Sequence, residues 1–185
     1  MPHVTVLVFE DCQPSAVSTV VEALSIANLH WTRTNGEGKP PFTWQTISFN
    51  GRPVRGMGGV TIVADGSSQD LRRSDLIFIP GIRAYSEDVM KRTLQRLNTQ
   101  WGDTLVKHYR QQGYIAANCS AVFLLAEAGL LDGRLATTSW WLARSFRNRY
   151  PEVRLRPEML VTKQARIFCA ASFSACLNLG LEIVS

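Results

Sequence analysis

No apolar run in these 185 residues approaches the roughly 18 needed to cross a bilayer, which argues against a membrane-spanning helix. Histidine is scarce, with three residues at 3, 30 and 108. The four cysteines, at 12, 119, 169 and 176, form no C-x-x-C pair, so neither a zinc site of recognisable spacing nor a disulfide framework is expected. Reduced thiols and a cytoplasmic location follow. The N-terminus, Met1-Pro2-His3-Val4-Thr5-Val6, lacks the basic segment, apolar stretch and cleavage site of a signal peptide. Repeats and low-complexity segments are missing too. So is any block of five or more like charges, although the net charge is +5. The basic residues are scattered in small groups: Arg72-Arg73, Lys91-Arg92, Arg144-Arg147-Arg149 and Arg154-Arg156. That distribution gives a solvated, mildly basic surface. It does not give a nucleic-acid reader, so the chain by itself is not expected to bind DNA specifically.

What is present is an alternation of strand and helix patterns. Val4 to Phe9 reads as a buried parallel strand. A helix opened by Pro14-Ser15 follows, with apolar residues at helical spacing from Ala16 to Ala27. Trp31 to Pro41 reads as a loop. Phe42 to Phe49 is strand-like, Asn50-Gly51 marks a turn, and a short hairpin runs through Val54 and Val60 to Val63. Asp75 to Ile79 is a core strand stopped by Pro80-Gly81. Glu87 to Gln112 is helical, with a possible break at Asn98-Thr99. Tyr114 to Ala117 is the next strand, and Phe123 to Ala128 the helix after it. Further on come a short strand at Leu135 to Thr137, a helix from Trp140-Trp141 capped by Thr138-Ser139, two short strands near Leu160 and Ile167, and a last helix from about Ala171. Alternation of this kind predicts a single α/β domain with a parallel-rich central sheet and helices on both faces, flavodoxin-like in layout. Ligand crevices in such folds lie at the carboxyl ends of the strands. Phe9 to Cys12, Pro80-Gly81-Ile82 and Asn118-Cys119 all fall at that edge. The final helix is apolar through Leu177, Leu179, Leu181, Ile183 and Val184 and carries no stop signal, so further sequence is expected after Ser185.

Asn118-Cys119-Ser120-Ala121-Val122 carries the strongest chemical signal. A cysteine where a strand turns sharply into a helix stands above the sheet edge. Its sulfur faces the free N–H groups of the helix's first turn, which suits a nucleophile or an anion. A small buried cysteine is the plainer alternative.

Residues 115–138 around this elbow closely resemble the nucleophile segment of the PfpI-like branch of the class I glutamine amidotransferase-like superfamily. More narrowly, they resemble the N-terminal domain of AraC-type transcriptional regulators built on that fold. Asp75 to Gly81, Phe146 to Val153 and Ala171 to Val184 resemble flanking family segments, with Asn178 where the family has Asp. The resemblance implies a class I glutamine amidotransferase-like sandwich over residues 1–185, acting as an effector-sensing domain without a cofactor. It further implies a helix-turn-helix domain after residue 185 that binds DNA, a small-molecule effector and a homodimer.

Several departures bear on mechanism. Enzymatic members hold the cysteine beside an acid and a histidine, and here those places fall on Ala16 and Ser139. The family's P-G-G turn reads Pro80-Gly81-Ile82, and its elbow glycine is Ala121. A thiol without a base or an orienting acid is a poor catalyst. Glu10 and Asp11 are possible substitutes at the same edge. His108 reads as a surface or packing residue, and Glu22 as either a family match or a solvated helix residue. The expected ligand site is therefore Cys119, Asn118, Ser120, Gly81, Ile82, Arg83, Ser139, Trp140 and Cys12, with Trp141 as a further apolar wall. A small metabolite bearing an amine or carboxylate would suit it. The alternatives are a cysteine-dependent hydrolase or amidase, a glyoxalase-like lyase, and a redox sensor acting through Cys119.

Overall fold

A computed structural model describes residues 2–36, 38–71, 74–83 and 86–185. Glu37 of the expected loop and the Arg72-Arg73 pair lie outside the described residues. In chain order the elements are β1 (His3–Leu7), α1 (Pro14–Asn35), β2 (Thr43–Ile47), β3 (Val54–Arg55), β4 (Thr61–Ile62), β5 (Leu76–Ile79), α2 (Glu87–Arg110) and β6 (Tyr114–Asn118). They continue with α3 (Val122–Glu127), β7 (Leu135–Ala136), α4 (Ala143–Arg149), β8 (Arg154–Leu155), β9 (Val161–Gln164), β10 (Ile167–Ala170) and α5 (Ala175–Val184).

Six strands form the central sheet in the order β2-β1-β5-β6-β10-β9. All neighbours are parallel except β9 and β10, which pair antiparallel. Every residue of β5 and β10, and Ile115 to Asn118 of β6, is buried. Side chains alternate between the two faces of a strand, so this continuous burial requires cover on both. Helix α1 packs against α5, and α2 against α3. Gly180 lets α5 approach α1 closely, since a Cβ there would stand 3.1 Å from Ala23 Cβ. Among the described residues no helix is long and apolar enough to cross a membrane.

The structure corrects four expectations. Helix α1 does not stop before Trp31. Thr32, Thr34 and Asn35 turn their side chains back onto the carbonyls of Asn28, His30 and Trp31, and the helix closes only at Gly36, where φ is 76°. Helix α2 is unbroken at Asn98-Thr99, where the Thr99 hydroxyl donates to the Gln95 carbonyl. Ser139 does not cap the next helix with its side chain, which is engaged elsewhere. Strand β8, unanticipated, pairs parallel with β7.

Candidate functional site

The residue after β6 has to reverse the chain from strand to helix within a single position. Cys119 does this with φ at 57°, a left-handed conformation that costs a non-glycine residue about 1–2 kcal/mol. A short 3-10 turn, Cys119–Ala121, then leads into α3. Opposite lies the turn after β5. A Cβ placed on Gly81 would stand in ordinary contact with Cys119 Cβ, at 3.6 Å, and would displace the Gln13 amide oxygen, 2.6 Å away, so glycine leaves room for the Gln13 side chain between the two loops. Ser120 locks the loops together. Its hydroxyl accepts from Ile82 N–H at 2.8 Å and donates to Ile82 C=O at 2.6 Å. Cys12 joins the same junction through a backbone bridge to Ile82.

The hydrogen-bond partner of Cys119 Sγ is Ser139 Oγ, at 2.7 Å. The Ser139 hydroxyl also reaches the Ala171 carbonyl at 2.9 Å. A carbonyl only accepts, and a hydroxyl has one proton to give. Ser139 therefore donates to Ala171 and stands as the acceptor toward the thiol. Thr138 adds a third tie, donating to the Cys119 carbonyl at 2.8 Å. The sulfur is thus bound to a side chain rather than to the amides of α3, which is only six residues long.

A cavity of about 190 Å³ opens at this point, lined by Gln13, Met57, Ile82, Cys119, Ser120, Trp141, Leu142 and Phe173. Among the described residues, no carboxylate, imidazole, ammonium or guanidinium lies in that lining. Ala16, at the family's acid place, is buried, and its carbonyl accepts from Cys176 Sγ at 3.7 Å. The other acids are occupied elsewhere. Glu10 accepts from the Arg55 backbone N–H, and Asp11 pairs with Arg83 at 3.2 Å. His108 contacts the Tyr114 carbonyl at 2.9 Å, at the opposite end of β6 from the elbow. Burial lowers its pKa, which favours the neutral ring there.

Of the residues expected at the site, Cys119, Ser120 and Ile82 line the cavity, and Gly81, Asn118 and Ser139 support it from behind. Arg83 points to Asp11 instead. Cys12 is fully buried, and burial pushes its thiol up to about 11. Trp140 is 75% exposed, with its ring set edge-on to Trp141, so Trp141 is the wall and Trp140 is not. Four lining residues, Gln13, Met57, Leu142 and Phe173, were not anticipated. Gln13 left a trace in the sequence, as a glutamine where α1 would ordinarily take Ser, Thr, Asp or Asn as its cap. It makes no cap bond, and its Oε1 accepts from Asn118 Nδ2 at 3.1 Å. Met57, flanked by Gly56 and Gly58, is a second such trace.

Known proteins share this fold. The DJ-1/PfpI family model matches residues 3–185. The HTH-type transcriptional regulator CdhR of Pseudomonas aeruginosa is 30% identical over 148 residues, covering 78% of this chain and 40% of that protein. The chain thus spans well under half the length of this relative. Among solved structures, a transcriptional regulator from Vibrio parahaemolyticus superposes with a TM-score of 0.81 at 20% identity, over 99% of this chain and 90% of that one. An AraC family transcriptional regulator from Pseudomonas putida gives 0.75 at 20% identity, over 100% and 91%.

Proposed function

The chain belongs to the DJ-1/PfpI family, and on that premise we propose that it is the ligand-sensing regulatory domain of an AraC-type transcriptional regulator. A small metabolite occupies the cavity beside Cys119. Binding there biases the association or orientation of paired sensing domains in the cytoplasm, and so the grip on DNA of a helix-turn-helix domain that is not part of these 185 residues. Such control requires the ligand to bind one arrangement more tightly than the other. The observation that carries the reading is a cavity at the elbow with no catalytic base among its described lining residues. Ala16 and Ser139 stand where a hydrolase would need acid and histidine, and the Ser139 hydroxyl is arranged to accept the thiol's proton bond. The regulators among its relatives point the same way.

The lining also constrains the ligand. At about 190 Å³ the cavity is smaller than drug-sized sites of roughly 300 Å³ and more, so the ligand is compact. A carboxylate finds no cation among the described lining residues. The aromatic rings of Trp141 and Phe173 in the lining attract an ammonium group rather than a carboxylate, so an amine fits better than an acid.

The reading predicts that the chain hydrolyses amides and esters, and converts α-oxoaldehydes, at the same rate as its Cys119→Ala variant. Steady-state assays of the two proteins side by side decide the point. Turnover that disappears with the thiol would establish an enzyme.

A further inference from the structure

Gln13 stands immediately before α1, and its backbone is tied across the junction, with its N–H donating to the Gly81 carbonyl at 2.8 Å. Its side-chain amide has two chemically different ends, and they meet different surroundings. The Oε1 end accepts from Asn118 Nδ2 at 3.1 Å. The Nε2 end carries two N–H donors and makes no hydrogen bond with the described residues. Gln13 lines the elbow cavity, whereas Asn118, the last residue of β6, is fully buried behind it. Holding the oxygen back therefore leaves the donors toward the open side.

The polar side chains beside it are already engaged. Ser120 both accepts from and donates to the backbone of Ile82, and Cys119 meets Ser139. The indole N–H of Trp141 is a further donor. Apart from weakly accepting sulfur, the uncommitted capacity of the described lining side chains is donating, so a ligand has to bring the acceptor. Asn118 gives a second sign. Its Oδ1 is buried with no hydrogen-bond partner among the described residues. A buried amide with one end unpaired weakens a fold. What this one provides in return is its grip on Gln13.

We infer that Gln13 is a specificity-determining residue that reads a neutral acceptor on the ligand, and that Asn118 is its positioning residue. The ligand class is thereby narrowed from compact amines to compact amines that also carry an ether, hydroxyl or amide oxygen. The ammonium end faces the aromatic wall, and the oxygen accepts from Gln13 Nε2. The inference rests on the reading of the elbow cavity as the ligand site.

Calorimetric titration with two amines of matched shape tests it. 2-Methoxyethylamine has an ether oxygen where n-butylamine has a methylene, and that oxygen accepts without donating. The wild type should bind the ether about fivefold more tightly, the ordinary net worth of one neutral hydrogen bond. Gln13→Met keeps the length of the side chain without its donors. It should bring the ether down to the level of n-butylamine and leave n-butylamine unchanged. Asn118→Ala frees the Gln13 amide and should also shrink the ether's advantage, whereas loss of packing alone would weaken both amines equally and overturn the positioning role. Leu142→Trp, which fills the cavity, separates the two levels of the account. If neither amine binds the wild type, or both bind Leu142→Trp as tightly, the cavity reading falls and this inference with it. If Leu142→Trp blocks both amines but the wild type binds them equally, or the ether's advantage survives Gln13→Met, the cavity reading stands and the role of Gln13 is overturned.

Discussion

Phe146→Ala should destabilise the fold by about 3–5 kcal/mol, the usual cost of deleting a fully buried aromatic ring, and lower Tm by about 10 °C or more in a chain of this size. Phe146 is fully buried on α4. Its ring meets Phe123 of α3 edge to face at 4.8 Å and Tyr150 at 5.0 Å. Polar contacts close the same cluster, since Tyr150 donates to Glu127 and Arg149 holds the Glu127 carboxylate with both an Nε and an Nη contact. The cluster joins the helix that follows the elbow to the helix that follows Trp141 and Leu142, so the ring supports one wall of the cavity. Chemical and thermal denaturation of the variant give the number. A loss near 1 kcal/mol would mean that α3 and α4 are held by something other than this cluster.

Alkaline pH should weaken the fold well before the lysines titrate fully. Burial pushes the Cys12 thiol from 9.0 to about 11, and those of Cys169 and Cys176 to about 12. Tyr150 moves upward as well, through burial and its bond to Glu127. In the unfolded chain these groups lose their protons at their ordinary values, while in the folded chain they keep them. The folded state then binds more protons than the unfolded one, so stability is full below about pH 9 and falls as pH rises toward 12. A tenfold difference in proton affinity between folded and unfolded chain is worth about 1.4 kcal/mol, so the loss amounts to several kcal/mol by the upper end of that range. Urea melts between pH 8 and 11 should show midpoints falling with pH, and a triple Cys→Ala or Cys→Ser variant should flatten the decline. A wild-type midpoint that stays constant over that range would show that the buried thiols do not contribute in this way.

The fold was legible because its strands are near-continuous apolar runs and its helices carry a 3.6-residue period. Both signals are local. The end of α1 was misread because threonine and asparagine look like loop residues. At Thr32, Thr34 and Asn35 their side chains bond back into the helix instead. The elbow was legible from a strand meeting a helix with one residue between them. The cavity wall was only partly so. Choosing between Trp140 and Trp141 requires the phase of a short 3-10 turn, which two adjacent tryptophans do not reveal. Phe173 reads as the start of the last helix, whereas α5 begins at Ala175 and leaves it free to line the site. Arg83 looked like a ligand-binding cation because the sequence cannot show Asp11 beside it.

The central claim is that the elbow cavity binds a small molecule and leaves it unchanged. The most direct test is a thermal-shift screen of small amines, amino acids and carboxylates on the wild-type chain and on Leu142→Trp, which fills the cavity from one wall. At a hundredfold excess over its dissociation constant a ligand adds about 2.7 kcal/mol, or roughly 5–10 °C in Tm. The account predicts at least one compact amine that produces this shift in the wild type, none in Leu142→Trp, and that is recovered intact after incubation. It is contradicted if no compound acts, if the active compounds stabilise both proteins equally, or if a stabilising compound is consumed by the wild type but not by Cys119→Ala.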